Sequence, residues 1–158
     1  MGLDMYLTKV EDVDNYDFSK QQHRADKIEI VAKATFPDGE VKEKTLVVNR
    51  PEFSAKIRIP VMYWRKANAI HNWFVEQSGE EDECQEIEIT GKRLLELVEI
   101  CKKILKNHTL AKELLPTTEG FFFGSTDYDE AYYEDLKDTV EALENCNPDD
   151  WYIYRASW

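Results

Sequence analysis

Residues 27–48 read KIEIVAKATFPDGEVKEKTLVV. Apolar side chains recur at alternate positions, with Ile28, Ile30, Ala32, Ala34 and Phe36 on one face. A period of two suits a pleated strand and not a helix. Pro37, Asp38 and Gly39 then supply a fixed φ, a turn-forming carboxylate and a residue tolerant of positive φ. The two flanking runs are therefore predicted to pair as an antiparallel β-hairpin, the tightest local constraint in the chain.

Other segments extend this pattern. LDMYLT, 3–8, alternates Leu3, Met5 and Leu7 against Asp4, Tyr6 and Thr8, as a strand near the N-terminus would. Residues 11–26 carry little periodicity and read as a loop with room for one helical turn. IRIPVMY, 57–63, looks extended, and Pro60 places it at a sheet edge or a strand end. QEIEIT, 85–90, is a short strand or extended lead-in. Thr90 then caps a helix over 91–107, where Leu94, Val98, Cys101 and Leu105 recur at helical spacing. A short helical piece over 109–115 ends before Pro116. A last helix is expected over 127–145, opened by a capping box of Thr126 with Asp129. WYIYRASW, 151–158, reads as a closing strand. Strands followed by helices indicate an α+β fold with a mainly antiparallel sheet, about three helices and both ends of the chain in that sheet.

The 158 residues fit one domain, 1–158. The formal charge of −12 repels a phosphate backbone, which argues against direct nucleic-acid binding. Three widely spaced cysteines, Cys84, Cys101 and Cys146, form no metal pattern and fit a reducing compartment. Asp4 interrupts the first apolar residues, so no signal peptide is expected. No apolar run approaches membrane-spanning length, and a cytoplasmic protein is expected.

The segment MYWRKANAIHNWF, 62–74, combines apolar bulk with hydrogen-bonding capacity. Drawn as a helix over 64–77, it puts Tyr63, Ala67, Ile70 and Phe74 on a core stripe. Trp64, Asn68, His71 and Val75 form a second stripe mixing an indole, an amide and an imidazole. Rings with a few convergent polar groups are what a ligand pocket needs. Arg65 could clamp an anion, since its fork matches carboxylate or phosphate. Set against this, His71 and Asn68 also suit structural hydrogen bonding. A second signal lies in GFFFGSTDYDE, 120–130. Gly124, Ser125 and Thr126 precede a helix start whose free N–H groups would favour an anion. No P-loop follows the glycines, and Asp127, Asp129 and Glu130 already suit a self-capped helix. Asp129 reads either as partner of Thr126 or as counter-ion for Arg65, Lys66 or His71. No motif for a nucleophile, a metal or a cofactor is present.

MGLDMYL at 1–7, YWRKANAIHNWF at 63–74 and ELLPTTEGFFFGSTDYDEAYYEDL at 113–136 together resemble a family of small, mostly uncharacterised proteins encoded by bacteriophages and their bacterial hosts. The resemblance covers about a quarter of the chain and carries no established reaction. It implies a phage accessory protein acting in the bacterial host's cytoplasm against host defence. It makes Trp64, Arg65, Asn68, His71, Ser125, Thr126 and Asp129 site candidates, joined by Asp4 and Tyr6. Three functions follow in order. The first is a non-catalytic binder of a small anionic, nucleotide-like ligand, with Trp64 or a phenylalanine of 121–123 stacking on a base. The second is an acidic inhibitor docking Asp127, Glu130, Glu134, Asp138 and Glu141 on a basic host protein. The third is a small enzyme with His71 as base and Asp129 as its orienter.

Overall fold

The computed structural model of the protein describes residues 2–13, 16–17, 19–23, 27–49 and 55–158. The strands are β1 (Asp4–Val13), β2 (Tyr16–Asp17), β3 (Gln22–His23), β4 (Lys27–Thr35), β5 (Val41–Asn49), β6 (Ala55–Arg65), β7 (Ile87–Thr90) and β8 (Trp151–Ser157). The helices are α1 (Asn68–Ser78), α2 (Gly91–Lys106), α3 (Ala111–Leu114) and α4 (Glu130–Leu143), with a 3-10 turn at His108–Leu110 before α3. This is the α+β architecture expected, with an N-terminal strand and antiparallel hairpins. Contacts group the chain into two compact units, Met1–Glu11 with Arg58–Trp158, and Asp12–Ile57, where chain length suggests one domain.

The first unit is built on a four-stranded sheet in the order β6-β1-β8-β7, so both ends of the chain lie in one sheet. β1 and β8 are antiparallel, with Met5 opposite Ala156 and Leu7 opposite Tyr154. β7 pairs with the other side of β8, with Ile87 opposite Tyr154 and Ile89 opposite Tyr152. Alternation puts all of these on one face, and all are buried. Three helices complete that core with Ile70 and Phe74 from α1, Leu94, Leu97, Val98 and Ile104 from α2, and Tyr132, Leu136 and Leu143 from α4. Phe74 stacks on Tyr154 with centroids 3.9 Å apart and planes within 5°. Each large apolar side chain buried this way contributes about 1.5–3 kcal/mol. Thr90 caps α2, accepting from the Arg93 N–H. β6, with Pro60, is an edge strand, a position where proline is tolerated.

The second unit holds the predicted hairpin. β4 and β5 pair antiparallel from Lys27–Asn49 to Thr35–Val41. In the turn Gly39 takes φ 86°, and Asp38 accepts from the Glu40 N–H. Val31, Phe36, Val41, Leu46 and Val47 stay exposed. Alternation therefore set pairing and faces here without burying them.

Four expectations need correction. Part of the 11–26 loop is extended, because β1 continues to Val13, and Tyr16–Asp17 pairs with Gln22–His23. The helix expected from 64 begins at Asn68. Trp64 and Arg65 end β6, and Lys66 turns the chain with φ 62° while its N–H donates to the Leu3 carbonyl. Sheet pairing overrides the local helical pattern. Tyr63, assigned to the core stripe, is half exposed and donates its hydroxyl to Asp4. The last helix begins at Glu130, and its cap is Asp129 rather than Thr126.

Candidate functional site

The corner between β6 and α1 is the starting point. Lys66 occupies left-handed backbone space, which costs a non-glycine residue of order 1 kcal/mol and persists only where surroundings enforce it. α1 follows with no side-chain cap at Ala67 and no acidic residue in its first turn. The Asn68 N–H donates to the Lys66 carbonyl at 2.9 Å, so the partial positive charge of this helix start rests on the N–H groups of Ala69 and Ile70.

Asn68 ties this corner to the 117–125 loop. Its amide nitrogen donates to the carbonyls of Phe123 (3.1 Å) and Ser125 (2.7 Å), and its oxygen accepts from the Thr118 N–H (3.0 Å). The side chain is 3% exposed, which limits competition from water for these bonds. The Phe122 carbonyl accepts from the Leu3 N–H, which pins the same loop to the N-terminal strand. Gly124 takes φ 87°, and a Cβ there would lie 3.0 Å from the Lys66 Cβ. Only glycine satisfies both conditions.

Between this corner, the loop and the first turns of α4 lies a hollow of about 300 Å³. Arg65, Lys66, Asn68 and Ile70 line one side, Gly124, Ser125 and Asp127 the loop side, and Asp129, Tyr132, Asp135 and Leu136 the α4 side. Its charge is divided. Arg65 and Lys66 stand beside the uncapped start of α1, while Asp127, Asp129 and Asp135 stand opposite.

These carboxylates differ. Asp129 is committed to capping, accepting from the Tyr132 N–H at 3.1 Å. Asp127 accepts from the Ser125 hydroxyl at 3.1 Å. The Asp135 carboxylate has no hydrogen bond or ion pair among the described residues; its backbone carbonyl accepts from Thr139. Burial pushes the Asp135 carboxyl up to about 7, helped by Asp138, Glu134 and Asp129.

Of the residues expected at a site, Arg65, Asn68, Gly124, Ser125 and Asp129 meet at the hollow. Trp64 and His71 do not, and their assignment as ligand contacts is corrected. Trp64 is 2% exposed and donates its indole N–H to Thr139 at 2.8 Å. His71 is 2% exposed, with Nδ1 2.7 Å from the Tyr154 hydroxyl and Nε2 2.8 Å from Asp82. Its ring packs edge-on to Phe123 and Trp158. Both ring nitrogens are spent on structure. The carboxylate that orients His71 is Asp82, so the His71–Asp129 pair is not formed.

Thr126 lies outside the hollow and gives its carbonyl to the Thr117 hydroxyl. Asp4 meets the hollow only through Arg65, whose Nε is 4.0 Å away. Tyr6 packs on Tyr63 at 5.3 Å and lines a separate depression on the sheet with Arg58, Glu86 and Arg155. None of Phe121, Phe122 and Phe123 lines the hollow, so the expected stacking ring is not there. Phe121 is 94% exposed, and Phe123 is buried.

Among the charged lining residues, Asp135 was not singled out in the sequence, and Lys66 entered only as a counter-ion for Asp129. Asp135 had a legible signal. It lies three residues after Tyr132 and one before Leu136, so its carboxylate sits at the border of the apolar stripe. Lys66 had none, because its placement depends on a strand-to-helix corner that a wheel from 64 erases.

Burial pushes the Cys101 thiol up to about 12, and no cysteine lines the hollow. Among the described residues no three His, Cys, Asp or Glu side chains form a metal-holding group, and no helix is long and apolar enough to cross a membrane. Comparison with protein-family models, curated proteins and solved structures finds no match.

Proposed function

We propose that the protein is a non-catalytic binder of a small anionic ligand, a phage-type accessory protein that counteracts host defence by holding that ligand. The supporting observation is the convergence of Arg65, Lys66 and the uncapped first turn of α1 on one side of a hollow. Two cations and a helix start reinforce each other for an anion. The hollow's volume stands at the lower end of the range for ligand pockets, which favours a compact ligand over a full nucleotide. The rings expected to stack on a base, Trp64 and the phenylalanines of 121–123, are absent from its lining, where the aromatic side chain is Tyr132.

Native mass spectrometry of the protein purified from its source, before and after denaturation, tests this reading. The expected result is a co-purifying small anion released on unfolding. It should be lost from an Arg65→Ala variant that keeps its fold. An Arg65→Ala protein that retains the same anion would reject the assignment.

A second reading rests on α4. Asp127, Glu130, Glu134, Asp138 and Glu141 are all exposed, and none forms a salt bridge among the described residues. Such a surface suits a basic protein partner, whose association would weaken steeply with salt. Retention of a basic host protein on immobilised protein at low salt, lost when Glu134 and Asp138 are changed to Lys, is the expected result.

A further inference from the structure

The two sides of the hollow carry opposite charge, and a simple anion would use only one of them. Lys66 has no salt bridge among the described residues, and Arg65 has only the long 4.0 Å approach to Asp4. On the α4 side of the hollow, Asp135 is the one lining carboxylate without a hydrogen bond or ion pair among the described residues. Leu136, Ile70 and Ala131 supply apolar lining, which limits competition from water.

We infer that the ligand is dipolar, with its anionic group against Arg65, Lys66 and the α1 start, and a protonated amine against Asp135. This rests on the anion-binding reading and adds a second, separable contact. A pure anion would leave Asp135 desolvated and unpaired, and would sit opposite three carboxylates. A pure cation would leave Lys66 without a partner and Arg65 with only its long approach to Asp4. An amine and an acidic group joined by a short chain resolve both, as in amino acids and aminoalkyl phosphonates. The raised carboxyl of Asp135 fits this, since an ammonium group beside it would restore its charged form.

The test is calorimetry with matched probes: aminoethyl-, aminopropyl- and aminobutylphosphonate against ethyl-, propyl- and butylphosphonate, with butylamine alone as a third arm. In the native protein the best-fitting amine-bearing probe should bind about tenfold more tightly than its amine-free match, the worth of one charge-assisted hydrogen bond. In Asp135→Asn that gap should close, the amine-free probe binding as tightly as in the native protein or more so because one opposing carboxylate is gone; circular dichroism checks that the variant folds. Amine-free probes that bind as well as their partners would overturn the dipolar ligand and leave the anion reading standing. A gap that survives in Asp135→Asn would likewise overturn it. Butylamine binding as tightly as aminobutylphosphonate would overturn both, as would no binding by any probe at millimolar concentration.

Discussion

Two helix starts, α1 and α4, face the same hollow and are built in opposite ways. α4 begins with Asp129 accepting from the Tyr132 N–H, and Glu130 follows in its first turn. Its dipole is satisfied from within. α1 begins at Asn68 behind Ala67, with no side-chain cap and no acidic residue in the first turn. The one side chain that might have served it, Asn68, is turned away to hold the 117–125 loop. A capped start contributes stability, and an uncapped one leaves donors for something else. The contrast teaches that the hollow's polarity comes from which helix was left open. The glycine-flanked motif offered the α4 start to an anion, and that start is the one capped from within.

The comparison breaks most severely at Asn68. Asn68→Ala removes the three hydrogen bonds of a buried side chain and frees two carbonyls and an N–H. It should cost about 3 kcal/mol or more in urea unfolding. It should also expose the 117–125 loop to limited proteolysis, and a loss under 1 kcal/mol would show that the loop is held by other means.

Asp135 gives the next largest effect. Its carboxyl lies near 7 in the folded protein against an ordinary value of 3.8. A raised folded pKa means stability that is complete below about pH 4 and lost as pH rises through 7. Asp135→Asn removes that loss, so the variant should gain on the native protein between those limits. Discounted for partial solvent contact, the gain should plateau at about 1–2 kcal/mol above pH 7. A stability difference that does not change with pH would remove Asp135 as the titrating group.

Asp129→Ala tests the capped start directly and should cost about 1 kcal/mol by thermal unfolding. Ala67→Ser attempts the converse, supplying α1 with a cap, and should stabilise by a few tenths of a kcal/mol while weakening anion binding. Arg65→Ala should be smallest in stability, within about 0.5 kcal/mol, because its side chain is mostly in water. Its effect belongs in ligand affinity, and equal affinity for native protein and variant would remove Arg65 from the site.

The elements differ in how legible they were. The hairpin over 27–49 follows from alternation and one PDG turn, both local properties. So do the Thr90 cap, the edge position of Pro60 and the pairing-ready pattern of 3–8. Five members of the site, Arg65, Asn68, Gly124, Ser125 and Asp129, were visible as polar or special residues within two unusual segments. Their roles were less visible. Asn68 looked like a ligand contact and is the strut that shapes the hollow. Trp64 and His71 looked like its wall and are interior supports, one bonded to Thr139 and the other to Asp82 and Tyr154.

By itself the sequence determined the periodicities, the turn chemistry and the set of side chains able to make a polar site, because these depend on neighbours a few residues apart. Only the tertiary structure decided where the helix after β6 begins, which helix start is left open and which carboxylate stands unpaired. Those outcomes depend on the pairing of β6 in the sheet and on the Leu3 carbonyl meeting the Lys66 N–H. Such contacts join residues far apart in the chain, and no short window of sequence contains both partners.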